Sequence, residues 1–363
     1  MKTSNSPSQL SSHSEKILII GPSWVGDMIM AQSLFILLKQ RGSDENGPDV
    51  QIDVMAPGWS NALLERMPEV SEIIDMPLGH GQLQLKARYQ LGKSLISQHY
   101  DQTILLPNSL KSALVPFWAS IPKRTGYVGE MRYGLLNDLR KLDKSVLTMT
   151  VQRFAALAYP KAQMLEAQNI ALKNIPTPAL KVDQGKVSDT LNKFQLHIDQ
   201  PILSLCPGAE YGPAKQWPAR HYASLASEKI VQGWQVWIFG SQKDLAIGEE
   251  INRLLKQEHG QQAINLCAKT ELAEAIDLMS VSQAVVSNDS GLMHMAAALG
   301  VPIVGVYGSS DPEFTPPLGE NSAMVSLNLD CSPCFKRTCP LGHTNCLEKL
   351  EPERVLDALE HLH

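Results

Sequence analysis

A short apolar, β-branched run, then a polar turn rich in Gly, Asn or Asp, then a helical stretch: this unit recurs along the chain and constrains its fold more than any other feature. Lys16–Ile20 (KILII), Gln102–Leu106 (QTILL), Ile202–Cys206 (ILSLC) and Gln235–Phe239 (QVWIF) are such runs. Buried runs of this length alternating with helices predict parallel strands joined by crossover helices. The fullest instance is Ser287–Gly308, SNDSGLMHMAAALGVPIVGVYG, which reads as strand, polar turn, short helix, Gly-Val-Pro break and strand. In an open α/β sheet, such a turn lies on the rim where ligands bind, and the following helix N-terminus offers unpaired N–H groups that suit a phosphate. Gly291 lets an anion approach the backbone closely. His294 falls on the same helix face as Ser290.

The alternation also predicts strands at Gln51–Met55 and Glu72–Met76. Helices are expected at Met28–Lys39, Trp59–Met67, Leu91–Ser97, Arg220–Gln232 and Leu272–Met279. Periodicity is lost over Ala162–Pro178 and restarts at Ile202. With 363 residues, this fits an α/β chain of two parallel-sheet domains facing one another. The expected division is a disordered tail over 1–15, an N-terminal domain over 16–179, a C-terminal domain over 180–350 and a terminal helix over 351–363. Arg124-Thr125-Gly126-Tyr127 and Gly129–Gly134 read as two basic-aromatic loops, suited either to a large anionic ligand or to an ordinary surface.

Charge and composition exclude some classes. The net charge of −5 argues against a dedicated nucleic-acid binder. No apolar run approaches the ~20 residues that a membrane span needs, and the Ser-rich start lacks the apolar core of a signal peptide. A cytoplasmic protein whose membrane contact is at most peripheral is expected. Cys206 and Cys267 read as isolated core thiols, whereas Cys331-x2-Cys334-x4-Cys339-x6-Cys346, with His343, is crowded like a small zinc or redox cluster, or forms a reduced structural loop.

The rim turns collect the candidate chemistry. Gly21–Asp27 is neither a dinucleotide fingerprint nor a P-loop, and Asp27 at its end either caps the helix or acts as a base. Pro107–Ser112 opens another helix, with Lys111 either solvated or touching an anion. In the second half, the Gly208–Lys215 loop offers one cation. Gly240–Asp244 offers Ser241, Gln242 and Asp244 for base or ribose, and Asp289–His294 offers N–H groups for a pyrophosphate. Lys215 and a helix N-terminus can stabilise a diphosphate leaving group, and no D-x-D cluster is present, so no metal or other cofactor is required. Asp27 across a cleft could take the proton from an acceptor hydroxyl attacking an activated sugar carbon, with inversion.

The segments GPSWVGDM, VMAPGWSNALLERMPEV, MPLGHG, LPNSLKSALVPFWASIPKRTGYVGEMRYGLLND, CPGAEYGPAKQWP, FGSQKD and SNDSGLMHMAAALGVPIVGVYGSSDPEFTPP closely resemble the lipopolysaccharide heptosyltransferases of glycosyltransferase family 9, the heptosyltransferase II group in particular. The resemblance runs from about Lys16 to the C-terminus. It implies a GT-B fold, with two Rossmann-like domains and a C-terminal helix crossing back onto the N-terminal one. It implies transfer of heptose from ADP-L-glycero-D-manno-heptose to the first heptose of a heptosyl-Kdo2-lipid A acceptor, at the inner face of the inner membrane. By motif, Asp27 resembles the catalytic base and Lys215 the diphosphate ligand. Glu210, Tyr211, Ser241, Gln242, Asp289, Ser290, Gly291 and His294 resemble donor contacts. Asn108, Lys111, Arg124 and Arg132 resemble acceptor contacts. Relatives acting earlier on the core carry Thr-Thr where this chain has Glu210-Tyr211 and a Glu near Gln242. Some lack the cysteine cluster, which separates it from catalysis.

Overall fold

The structure, a computed structural model, describes residues 14–42, 49–79, 82–161 and 175–362. Residues 1–13 of the expected tail and 162–174 of the expected linker lie outside the described residues. Glu15 already belongs to a strand, so the tail was drawn too long at its inner end.

Among the described residues the strands form two six-stranded, wholly parallel sheets. The first holds β1 (Glu15–Ile20), β2 (Val50–Ala56), β3 (Val70–Asp75), β4 (Gln102–Leu105), β5 (Lys123–Tyr127) and β6 (Asp138–Arg140), in the order β3-β2-β1-β4-β5-β6. The second holds β7 (Ile202–Cys206), β8 (Gln235–Ile238), β9 (Ile264–Asn265), β10 (Ala284–Asn288), β11 (Ile303–Val306) and β12 (Ser322–Val325), in the order β12-β11-β10-β7-β8-β9. Counted from its own first strand, each sheet has the same doubly wound order, which reverses between β1 and β4 and between β7 and β10. The strands at these reversals are covered on both faces: β4, β7 and β10 are buried at every residue. That is why they read as mostly apolar runs without the alternation of a half-exposed strand.

Among the described residues the α-helices are α1 (Val25–Gly42), α2 (Asn61–Leu64), α3 (Leu85–Ser94), α4 (Leu114–Trp118), α5 (Thr150–Ala155), α6 (Gln184–Phe194), α7 (Ala219–Val231), α8 (Leu245–His259), α9 (Leu272–Met279), α10 (Gly291–Ala298), α11 (Asn345–Glu348) and α12 (Pro352–Glu360). The two sheets meet where α1 packs on α10. One buried cluster runs from Ile17, Met28 and Leu34 through Leu180 to Met293 and Ala297. Polar struts fix the same joint. Gln32 donates to Ala179 O at 2.8 Å and accepts from Ala179 N at 2.9 Å, and Ser33 donates to Pro176 O at 2.6 Å. Arg66, after α2, pairs with Asp277 of α9 at 2.6 Å, with both side chains buried. Removing one partner of such a buried pair costs about 3–5 kcal/mol, because the other charge stays desolvated.

Two expectations are corrected here. Arg124–Tyr127 is not a loop but most of β5, with Thr125, Gly126 and Tyr127 buried. Its flanking charges and glycines disguised a strand at the covered side of the sheet. The terminal helix α12 does not cross back to the first sheet: it lies on α7, β11 and β12. Val355 and Leu359, one helical turn apart, are buried in the core cluster of the second sheet.

Candidate active site

The two sheet reversals face each other. Beyond β1 the chain turns through Gly21–Trp24 into α1, and Asp27 sits in the first turn of that helix. Beyond β10 it turns through Asp289-Ser290 into α10. The helix N-termini touch. A Cβ built on Gly26 would fall 2.6 Å from Cδ2 of His294, and one on Gly291 would fall 2.6 Å from Cβ of Val25. Glycine at both positions is what lets these termini come so close.

A third loop joins them. Asn288, fully buried at the end of β10, accepts from Trp217 N at 3.1 Å and from the Tyr222 hydroxyl at 3.0 Å. Its amide donates to Pro207 O at 2.7 Å. One carboxamide therefore ties down both ends of the loop after β7, and that loop carries Lys215. Lys215 Nζ meets Asp289 Oδ2 at 2.5 Å and lies 5.3 Å from the centre of the Tyr211 ring.

Four ionisable groups share this junction: Asp27, Lys215, Asp289 and His294. Burial pushes the Asp27 carboxyl up to about 6; the charge on Lys215 pulls it down and that on Asp289 pushes it further up. A helix N-terminus favours an anion, yet here desolvation wins. Burial pushes His294 down to about 4, with Asp289 raising it and Lys215 lowering it, so its imidazole is neutral at pH 7. His294 Nδ1 is buried without a hydrogen-bond partner. A carboxyl titrating near neutrality beside a lysine and a second carboxylate is chemically equipped to take up a proton.

Two cavities open on either side of the junction, and Trp24 and Glu210 line both. The larger, about 520 Å³, is walled by the rim of the first sheet, including Trp59, Arg88, Ser109 and Lys111. The smaller, about 360 Å³, is walled by Gly208, Phe239, Ser241, Asp244, Leu272, Ser290 and Gly291 from the second sheet, closed by Val25 and Gly26 from the first. The apolar groups suit a flat base, while Ser241 and Asp244 suit a ribose.

The structure thus brings Asp27, Lys215, Asp289, Ser290, Gly291 and His294 to one place. Ser241 lines the smaller cavity, its hydroxyl donating to Asp244 at 2.8 Å. Glu210 reaches both cavities and pairs with Lys243. Tyr211 lines neither cavity; its ring lies beside Lys215 Nζ, and its hydroxyl donates to Phe335 O at 2.9 Å. Gln242 is exposed in a short helical turn outside both linings. Lys111 lines the larger cavity.

Among the other candidate acceptor contacts, the two arginines are corrected. Arg132 is only 1% exposed, and its guanidinium donates to Pro107 O, Ser112 Oγ, Asn108 Oδ1 and Tyr127 O, so it staples the Pro107–Ser112 rim from inside. Asn108 accepts at 3.2 Å from Arg132 through its Oδ1 alone and stays exposed at the rim. Arg124 donates to Leu135 O and Ile121 O, both at 2.6 Å. Sequence reasoning passed over Trp24 and Arg88. An exposed Trp in a Gly-Pro turn was a usable signal for the first. Nothing in the sequence marked the second, whose guanidinium holds the carbonyls of Gln82, Leu83 and Lys111.

A family profile described as glycosyltransferase family 9 (heptosyltransferase) matches residues 88–345. The chain is 49% identical over 347 residues to lipopolysaccharide heptosyltransferase 2 of Escherichia coli K12, covering 96% of this chain and 98% of that one. It is 47% identical over 351 residues to lipooligosaccharide heptosyltransferase 2 of Haemophilus influenzae, covering 95% and 99%. The solved structure of E. coli ADP-heptose LPS heptosyltransferase II is similar with a TM-score of 0.84 at 47% identity, covering 96% of this chain and 98% of that one.

Proposed function

The chain belongs to glycosyltransferase family 9, the heptosyltransferases, and from that premise we propose that it moves L-glycero-D-manno-heptose from ADP-heptose onto the first heptose of the lipopolysaccharide inner core. Its fold is the GT-B arrangement of two Rossmann-like sheets across a cleft. The observation that carries the mechanism is the position of Asp27, with a carboxyl raised to about 6 beside the Lys215–Asp289 pair where the two sheet reversals meet.

The adenosine enters the smaller cavity against Phe239 and Leu272, with Ser241 and Asp244 toward the ribose. The core sugars, with their phosphates and Kdo carboxylates, enter the larger cavity beside Lys111. Asp27 and Lys215 lie at the junction between the two cavities, and both are partly exposed. Asp27 takes the proton of the acceptor hydroxyl as that oxygen bonds to the anomeric carbon. The bond from that carbon to the diphosphate breaks on the opposite face, which inverts the configuration. Lys215 turns from Asp289 to the departing ADP, and the N–H groups opening α10 share its charge. These groups stabilise the leaving group without a metal at the reacting centre. The acceptor is an amphiphile, so the enzyme works from the cytoplasm, peripherally at the inner face of the inner membrane; no helix among the described residues is long and apolar enough to cross one.

The test is transfer in vitro from ADP-heptose to Kdo2-lipid A carrying either no heptose or one. Product from the one-heptose core alone is expected, with the configuration at the new linkage opposite to that in the donor by NMR. Transfer to the heptose-free core would reassign the acceptor position, and retained configuration would remove the single-displacement mechanism. Asp27→Asn should keep ADP-heptose affinity and lose roughly 10²–10⁴ in turnover.

A further inference from the structure

The segment after β12 has little to hold it together by burial. Between Cys331 and Thr344 it has no helix or strand, its Phe335 and Leu341 are exposed, and Phe335, Gly342 and Thr344 take positive φ. Yet it makes ordered contacts with the loop that carries Lys215. Arg337 O accepts from Ala214 N at 3.1 Å, Phe335 O accepts from the Tyr211 hydroxyl, and the Arg337 guanidinium stacks 5.2 Å from the Tyr211 ring. A Cβ on Gly212 would fall 2.5 Å from Arg337 O, so the two loops are in close backbone contact. Something other than an apolar core must keep this brace in shape.

The four cysteines are placed to do so. Cys331, Cys334, Cys339 and Cys346 are all free thiols, and all line one cavity of about 20 Å³ together with His343. That volume accommodates about one small occupant. They surround this space as a set of four rather than as two bonded pairs. The turn that carries Cys339 is closed by its own backbone, Gly342 N donating to Cys339 O at 3.2 Å. Among the described residues no three such side chains already stand at ligand spacing, so holding an ion there would require the sulfurs to move inward.

We propose that Cys331, Cys334, Cys339 and Cys346 bind one thiophilic divalent ion of the zinc or ferrous class, and that this ion holds the segment as a brace for the Lys215 loop. A four-sulfur set selects such ions over magnesium or calcium, and a closed set of four leaves no open position for catalysis. Binding releases the thiol protons and changes no oxidation state.

Elemental analysis of the full-length protein, purified without added chelator, should find about one zinc or iron per chain, and which metal it is separates the two sources. Cobalt(II) loaded during expression should give the visible absorption of a tetrahedral thiolate site, a readout that needs no variant. Cys339→Ser and Cys346→Ser should lose the metal and weaken ADP binding by about fivefold or more in calorimetry. Metal below about a tenth of an equivalent, with all four thiols freely reactive, overturns the site; so does a disulfide within the cluster in non-reducing mass spectrometry. Metal loss with unchanged ADP affinity overturns the brace. Metal content is measured without any acceptor or donor sugar, so its outcome is independent of the transfer assay.

Discussion

The His294 ring rests on the backbone of Gly26, so that a Cβ added to Gly26 would come within 2.6 Å of the imidazole. This contact joins the helix after β1 to the helix after β10 and sets the separation between Asp27 and the Lys215–Asp289 pair. Gly26→Ala improves the helix locally yet pushes α1 from α10, and Gly291→Ala does the same against Val25. Each should lower kcat/KM by roughly tenfold or more while ADP alone still binds, since small displacements at a reacting centre are costly. Unaltered steady-state kinetics in both variants would show that this spacing does not matter.

Turnover should follow the Asp27 carboxylate. With that group raised to about 6, kcat/KM should fall about tenfold per pH unit below 6 and level off above it. A profile flat down to pH 4.5 would point to a different base.

Stability offers a separate readout of the same junction. His294, held neutral down to about 4 in the fold but protonated near 6.5 when unfolded, costs stability as pH falls through that window. Asp27 acts with the opposite sign. Its ionised form is disfavoured in the fold, and that penalty is relieved as pH falls from about 6 toward 3.8. The two effects largely cancel in the native protein. Asp27→Asn removes one of them, so acidification from pH 6.5 to 4 should destabilise the variant, relative to the parent, by on the order of 3 kcal/mol in denaturant unfolding. Parallel pH curves for the two proteins would contradict this pairing.

Lys111 and Arg132 should separate cleanly. Lys111→Ala should raise KM for the core acceptor and leave the melting temperature nearly unchanged. Arg132→Ala should lower the melting temperature by several degrees, because it strands the carbonyls of Pro107 and Tyr127 in the interior at about 1–3 kcal/mol each. Equal stability of both variants would return Arg132 to the rim.

The Arg66–Asp277 pair ties α2 to α9 across the joint. Arg66→Ala should destabilise the fold by roughly 3–5 kcal/mol, with Arg66→Met less harmful only when Asp277→Leu accompanies it.

Much of this was legible in the chain. The runs at Ile202–Cys206 and Leu272–Met279 matched their elements end to end, because burial on both faces or a clear helical stripe leaves a strong local pattern. Cys206 and Cys267 are the buried thiols they were read to be. Asp27 and Lys215 were legible as rim residues, since each follows an apolar run and a glycine turn. β5 was not, because charges at its start and glycine inside it mask a strand covered mainly by neighbours.

What the sequence alone determined is therefore the doubly wound α/β alternation, the rim turns and the residue types that suit a nucleotide diphosphate. These follow from periodicity and turn chemistry, which act within a few residues. What only the tertiary structure decided is which of those residues meet. Arg132 turned inward to carbonyls, α12 stayed on the second sheet, and Asp27 came to sit beside Lys215 and Asp289. Such outcomes depend on desolvation and on contacts between segments from tens to hundreds of residues apart, and no local pattern encodes those.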